Sequence, residues 1–154
     1  MKTFVYAALA LTLALATVAF AADLPDFTGN WKIDPSKMDD SKGPAPRMIR
    51  KVEKEGNVIT VTEVQMRDGK GNAIVRKFST DGSIVSSTMN GQRVKSHGKW
   101  DGNTLVSDTT VGENITIHDV WALSDDGQIW TNDMVFNGHP NKLIFVRQYL
   151  PAVP

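Results

Sequence analysis

The sequence predicts an all-β chain of about ten antiparallel strands in sequential hairpins, either closed on itself as a barrel or folded over into a sandwich. Three observations carry that expectation. Turn signals recur at intervals of roughly ten to fifteen residues: Glu55-Gly56-Asn57, Asp68-Gly69, Asp81-Gly82, Asn90-Gly91, Asp101-Gly102, Val111-Gly112-Glu113, Asp126-Gly127 and Asn137-Gly138. Between them, apolar and polar residues alternate with the period of two that belongs to strands. Only residues 35–46 are irregular for any length, and Gly43, Pro44 and Pro46 stop a helix there. A meander of this length exposes two edges unless it rolls up or folds over into a sandwich.

The first strand, residues 27–34, puts Trp31 and Ile33 on one face, Lys32 and Asp34 on the other. Asp34-Pro35-Ser36 then suits one helical turn, and no helical lid fits before residue 47. Residues 47–54 and 57–67 pair around Glu55-Gly56. Both faces of the second arm are partly apolar, so its core face stays open. Residues 73–80 and 83–89 follow, and Arg76 between Ile74 and Phe78 favours an outward face there. Lys99-Trp100-Asp101-Gly102-Asn103-Thr104-Leu105-Val106 reads as strand, tight turn, strand, joining 92–100 to 103–110. Ser and Thr are frequent in these middle strands, which marks a polar lining or a solvated face. Residues 113–123 carry Ile115, Ile117 and Trp121, and residues 128–136 carry Ile129, Trp130 and Phe136. In the last strand, 142–150, Leu143, Phe145, Arg147 and Tyr149 share one face; Ile144, Val146, Gln148 and Leu150 share the other. Pro151 and Pro154 end the ladder.

Residues 1–21 read as a secretory signal helix ahead of one domain, residues 22–154. Met1-Lys2 is a short positive start, residues 4–18 are apolar, and Ala19-Phe20-Ala21 provides the small-x-small pattern for cleavage after about Ala21. No membrane anchor is expected after cleavage, since no basic stop follows and no Cys offers a lipid attachment point. The chain has no Cys, 17 basic and 17 acidic residues. A secreted domain without disulfides must rely on its core. The absence of Cys fits a Gram-negative periplasm. Losing Lys2 leaves a net charge of −1, which pulls toward neither nucleic acid nor anionic membrane. The expected oligomeric state is a monomer or weak dimer.

Phe27-Thr28-Gly29-Asn30-Trp31-Lys32-Ile33-Asp34, the hairpin around Asp101-Gly102, and Phe145-Val146-Arg147-Gln148-Tyr149 together resemble the calycin superfamily. That superfamily holds the lipocalins and the intracellular fatty-acid-binding proteins. Gly29-x-Trp31 is similar to the first lipocalin signature, and Arg147-x-Tyr149 to the end of the last fatty-acid-binding-protein strand. The pattern also resembles small secreted bacterial lipocalin-like proteins. The resemblance implies a single antiparallel up-and-down barrel carrying a small hydrophobic or amphipathic ligand, with Arg147 and Tyr149 binding a polar head inside it. Phe145, Trp121 and His118 join them as candidate ligand contacts. The resemblance equally implies a closure role for Arg147, laid across Trp31. The chain departs from the fatty-acid-binding proteins in lacking their two-helix lid. It also carries His118 and Asp119 where a second interior Arg usually stands, and an Asp there repels a fatty acid.

No nucleophile motif, phosphate loop or dinucleotide fingerprint is present. His97, His118 and His139 are too dispersed to propose a metal set, and no cofactor is expected. The aspartates at turns suit turn chemistry. Two readings compete with the carrier: a protein-interaction or inhibitor module with a packed interior, and an enzyme acting on a lipid-like substrate through His118 and Asp119. Interior volume separates the first two, a cavity above about 300 Å³ favouring a carrier.

Overall fold

The computed structural model describes residues 23–149 except 40, 42, 43, 45, 68 and 69. The leader with its cut after Ala21, Gly43, the Asp68-Gly69 turn, Leu150, Pro151 and Pro154 lie outside the described residues. Ten strands follow in order: β1 (Gly29–Ile33), β2 (Arg47–Glu55), β3 (Val58–Arg67), β4 (Lys70–Ser79), β5 (Val85–Met89), β6 (Gln92–Asp101), β7 (Thr104–Val111), β8 (Ile115–Leu123), β9 (Ile129–Phe136) and β10 (His139–Gln148). A 3₁₀ turn, Pro35–Lys37, follows β1, capped by Asp34, whose carboxylate accepts from the Ser36 backbone N–H.

Every ladder is antiparallel, and the order around the sheet is β4-β3-β2-β1-β10-β9-β8-β7-β6-β5. The first and last strands are therefore neighbours at the middle of the sheet, with Trp31 opposite Arg147 and Ile33 opposite Phe145. The fold is all-β, as the turn spacing predicts, and nearly closed as a barrel, as the resemblance implies. Its one seam lies between β4 and β5. There the chain crosses from one edge to the other, held by Gly82 N–H donating to Gly98 O at 2.7 Å and by the Ser96 hydroxyl donating to Lys77 O. The close approach of β4 to β6 leaves no room for a side chain at Gly98. A Cβ there would stand 2.6 Å from Ser79 O and 2.9 Å from the Phe78 ring.

Two-residue loops join β5 to β6 at Asn90-Gly91 and β9 to β10 at Asn137-Gly138. In each, both loop residues have positive φ, which Asn and Gly adopt at least cost. The strand β10 begins earlier than the sequence suggests, at His139 and Pro140 rather than after them. Pro140 is tolerated because β1 is too short to reach it, so the strand has one neighbour at that point.

The interior divides into two halves along the barrel axis. The half nearer the N-terminus is filled. Phe27 enters from the segment before β1 and meets Trp121 edge-on at 5.3 Å and Trp130 at 5.7 Å; Trp121 and Trp130 lie 4.4 Å apart. Phe78, Val52, Ile59, Val61, Leu105 and Phe145 complete this core. The Trp31 indole N–H donates to Phe27 O at 2.8 Å, fixing the plug to β1. Burying such side chains contributes about 1.5–3 kcal/mol each.

At the rim of this filled half, Arg147 binds three elements together. Its Nε donates to Gly127 O at 2.8 Å, Nη1 to Thr28 O at 2.5 Å and Nη2 to Asp26 O at 2.9 Å, while the guanidinium lies 4.2 Å from the Trp31 ring centroid. Gly29, at φ +123°, lets the backbone pass beneath: a Cβ there would sit 3.0 Å from Arg147 Nη1. Removing a charged donor of this kind costs roughly 2–4 kcal/mol. Arg147→Gln is expected to lower the melting temperature by roughly 5–15 °C. An unchanged thermal midpoint, read by circular dichroism, contradicts the closure role.

Candidate ligand-binding site

Beyond the aromatic half, the inward positions turn polar. In β2 and β3 the register sets Arg50 opposite Glu63, and their side chains form an ion pair at 2.8 Å. Gln65, two residues along β3, donates to the other Glu63 oxygen at 2.7 Å. A second pair spans the lumen: Arg76 Nη1 of β4 donates to Asp119 Oδ2 of β8 at 2.7 Å, and Asn132 Nδ2 of β9 donates to Asp119 Oδ1 at 3.0 Å. All four charged side chains are buried. Arg76 thus faces inward, contrary to the outward expectation. Its neighbours Ile74 and Phe78 share its face, and a carboxylate across the barrel makes its burial tolerable.

Each group's protonation follows from its surroundings. Burial works against the Arg76 charge, but the Asp119 carboxylate beside it prevails and holds its pKa above the ordinary value. Burial likewise works against the Asp119 charge. The Arg76 guanidinium outweighs it and, with Asn132, keeps that carboxyl below its ordinary range. For Arg50, burial dominates and lowers the pKa, with Glu63 opposing and Arg76 adding repulsion. Arg50 also lies over two rings, 5.0 Å from the Trp130 centroid and 4.5 Å from that of Phe145. Among the described residues its Nη1 is buried and has no hydrogen-bond partner, as is true of Ser107 Oγ, Thr109 Oγ1 and Asn132 Oδ1.

Above this polar layer the barrel opens into a cavity of about 220 Å³. Arg50, Glu63, Gln65 and Arg76 form its floor. Met48, Ile74, Met89, Val111, Ile115, Ile117, Met134, Phe136 and Leu143 provide apolar walls, with Asn90 and Gln92 at the mouth. The volume lies below the range of about 300–1,000 Å³ usual for drug-sized ligands. It also shows that the interior is not packed throughout.

None of the five residues singled out from sequence as ligand contacts lines this cavity. Trp31 and Arg147 are brought together at the opposite, filled end. Tyr149 is 72% exposed and exchanges hydrogen bonds with the Gln128 side chain. Phe145 and Trp121 are core residues below the polar layer. His118 points outward, its Nδ1 2.7 Å from Asp108, whereas its neighbour Asp119 points in. The adjacent pair therefore shares no site. Sequence reasoning missed Arg50, Glu63 and Gln65. Their signal was the inward frame of β2 and β3, Met48-x-Arg50-x-Val52 and Ile59-x-Val61-x-Glu63-x-Gln65, which was hidden by apolar residues on both faces.

No family model and no curated protein matches the chain. Solved structures do. Secretory abundant heat soluble protein 4 from Ramazzottius varieornatus superposes with a TM-score of 0.59 at 13% identity, over 79% of this chain and 94% of that one. Human cRBP IV gives 0.57 at 16% identity, over 80% and 98%. The REP1-NXSQ fatty acid transporter gives 0.54 at 14% identity, over 80% and 96%. These are calycin-type barrels, and the fold of this chain is of that type.

Carboxylates held below their ordinary range set the acid limit of the fold. Asp119 is one. Asp34, Asp81 and Asp126 at turns are others, lowered first by the hydroxyls of Ser36, Ser83 and Ser124 respectively, and Asp81 reaches about 2. Such groups contribute stability above their unfolded value of about 3.9 and lose it as pH falls through the folded value. The unfolding free energy in urea is expected to fall between about pH 4 and pH 2. A stability that rises over that window contradicts the assignment.

Proposed function

We propose that this protein is a secreted, periplasmic carrier of a small apolar or amphipathic molecule, held in the cavity above the ion-pair layer. The observation that supports it most is the asymmetry of the interior. One half is filled by aromatic side chains, while the other keeps apolar walls around open space above two buried ion pairs. At about 220 Å³ the space falls short of the roughly 300 Å³ typical of drug-sized ligands, so the reading is confined to a small ligand. The leader composition and the lack of Cys support export. Among proteins of the same fold, one is described as a fatty acid transporter.

The chemistry is burial and orientation. The ligand's apolar part displaces water from Met, Ile, Val and Phe walls, at about 25 cal/mol per Å² of apolar surface covered. Its polar end descends toward Arg50, Glu63 and Gln65. Arg147 then acts on binding through the barrel's integrity, because it lies at the far end, where three of its N–H groups donate to backbone carbonyls.

N-phenyl-1-naphthylamine, an uncharged apolar fluorophore, tests this reading. The mature domain is expected to enhance its emission with saturable, single-site behaviour. Ile117→Trp, which fills the cavity from a half-buried wall position, is expected to weaken that binding at least tenfold with little change in melting temperature. Absence of saturable binding to the unaltered protein, or undiminished binding to the Trp variant, overturns the cavity as the site.

A further inference from the structure

The polar floor determines the class of ligand head. Two guanidiniums and two carboxylates are buried there, and each guanidinium touches a carboxylate: Arg50 with Glu63 and Arg76 with Asp119. The layer therefore carries no net charge before any ligand arrives. A carboxylate entering it brings an unbalanced negative charge into a desolvated interior, beside Glu63. Uncompensated charges of that kind are among the costliest groups to bury. An uncharged polar head leaves that balance undisturbed, and the floor offers it the polar side chains of Glu63, Gln65 and Arg76 that line the cavity. Glu63 and the Gln65 side-chain carbonyl, both at the cavity, are acceptors for a donor on the same head.

We infer that the cavity takes an uncharged amphipathic molecule, an apolar chain ending in a hydroxyl, amide or ester, in preference to a fatty-acid anion. This rests on the carrier reading and narrows it. Glu63 is the specificity-determining residue. It spends the Arg50 charge that would otherwise recruit a ligand carboxylate. Replacing it by an uncharged isostere leaves the layer at +1 and opens the floor to anions.

Matched chains differing only in the head provide the test: 1-decanol, decanamide and decanoate, each displacing N-phenyl-1-naphthylamine at pH 7.5. The unaltered protein is expected to bind the alcohol and amide at least tenfold more tightly than decanoate. Glu63→Gln is expected to reverse that order or narrow it at least tenfold. A measurement without a variant gives the same answer. As pH falls from 7.5 to 5, decanoate is expected to gain affinity in step with its own protonation, while decanol does not. Decanoate binding as tightly as decanol to the unaltered protein at pH 7.5 overturns the inference and leaves the carrier reading standing. Failure of all three chains to displace a bound fluorophore overturns the inference as well. No saturable binding of the fluorophore itself overturns the carrier reading first.

Discussion

A buried guanidinium needs a carboxylate, and in this barrel that requirement is met across the lumen. Arg76 and Asp119 stand on β4 and β8, elements on different sides of the interior, and meet at 2.7 Å. The strand β4 is an edge, since it has β3 on one side and no ladder to β5 on the other. Hydrogen bonds to β6 hold only its far end. Next to that end, the ion pair ties Arg76 of β4 across the lumen to β8. It also caps the aromatic core and forms part of the cavity floor. The pair thus joins two sides of the interior at the boundary between the aromatic core and the cavity, alongside the hydrogen bonds that hold the seam.

That arrangement explains why the two ends of the barrel differ. Below the pair, Phe27, Trp31, Trp121 and Trp130 fill the space, and the N-terminal segment is locked over them by Arg147. Above it, aliphatic and thioether side chains, with the Phe136 ring, surround the cavity. An end sealed by a cation over an indole leaves exchange to the other end. On the carrier reading, the cavity end, with Asn90 and Gln92 in its lining, is the end at which a small molecule would enter.

The architecture was legible because turn chemistry is local. Asn-Gly and Gly-Asn pairs announce positive φ, and the alternation between them announces strands. The meeting of Trp31 with Arg147 was foreseeable only through resemblance, since nothing in the spacing of residues 31 and 147 relates them. The site itself was not legible. Arg76 between Ile74 and Phe78 reads as an outward residue because a lone sequence gives no sign of Asp119, forty-three positions away, waiting on the facing wall. Arg50 and Glu63 are ordinary surface types until the register of β2 and β3 pairs them indoors. Attention fell instead on the conspicuous residues of β8 and β10. Of those, Phe145 and Trp121 went to the core, and His118 and Tyr149 to the exterior.

A double-mutant cycle on Arg76→Met and Asp119→Leu, followed by urea unfolding, measures the pair on which the structure depends. Each single change strands a buried charge, and is expected to cost about 3–5 kcal/mol. The double variant is expected to be more stable than either single variant, with a coupling energy above about 1 kcal/mol. Additive losses would show that the two groups do not meet, and that the interior is not divided in the way described.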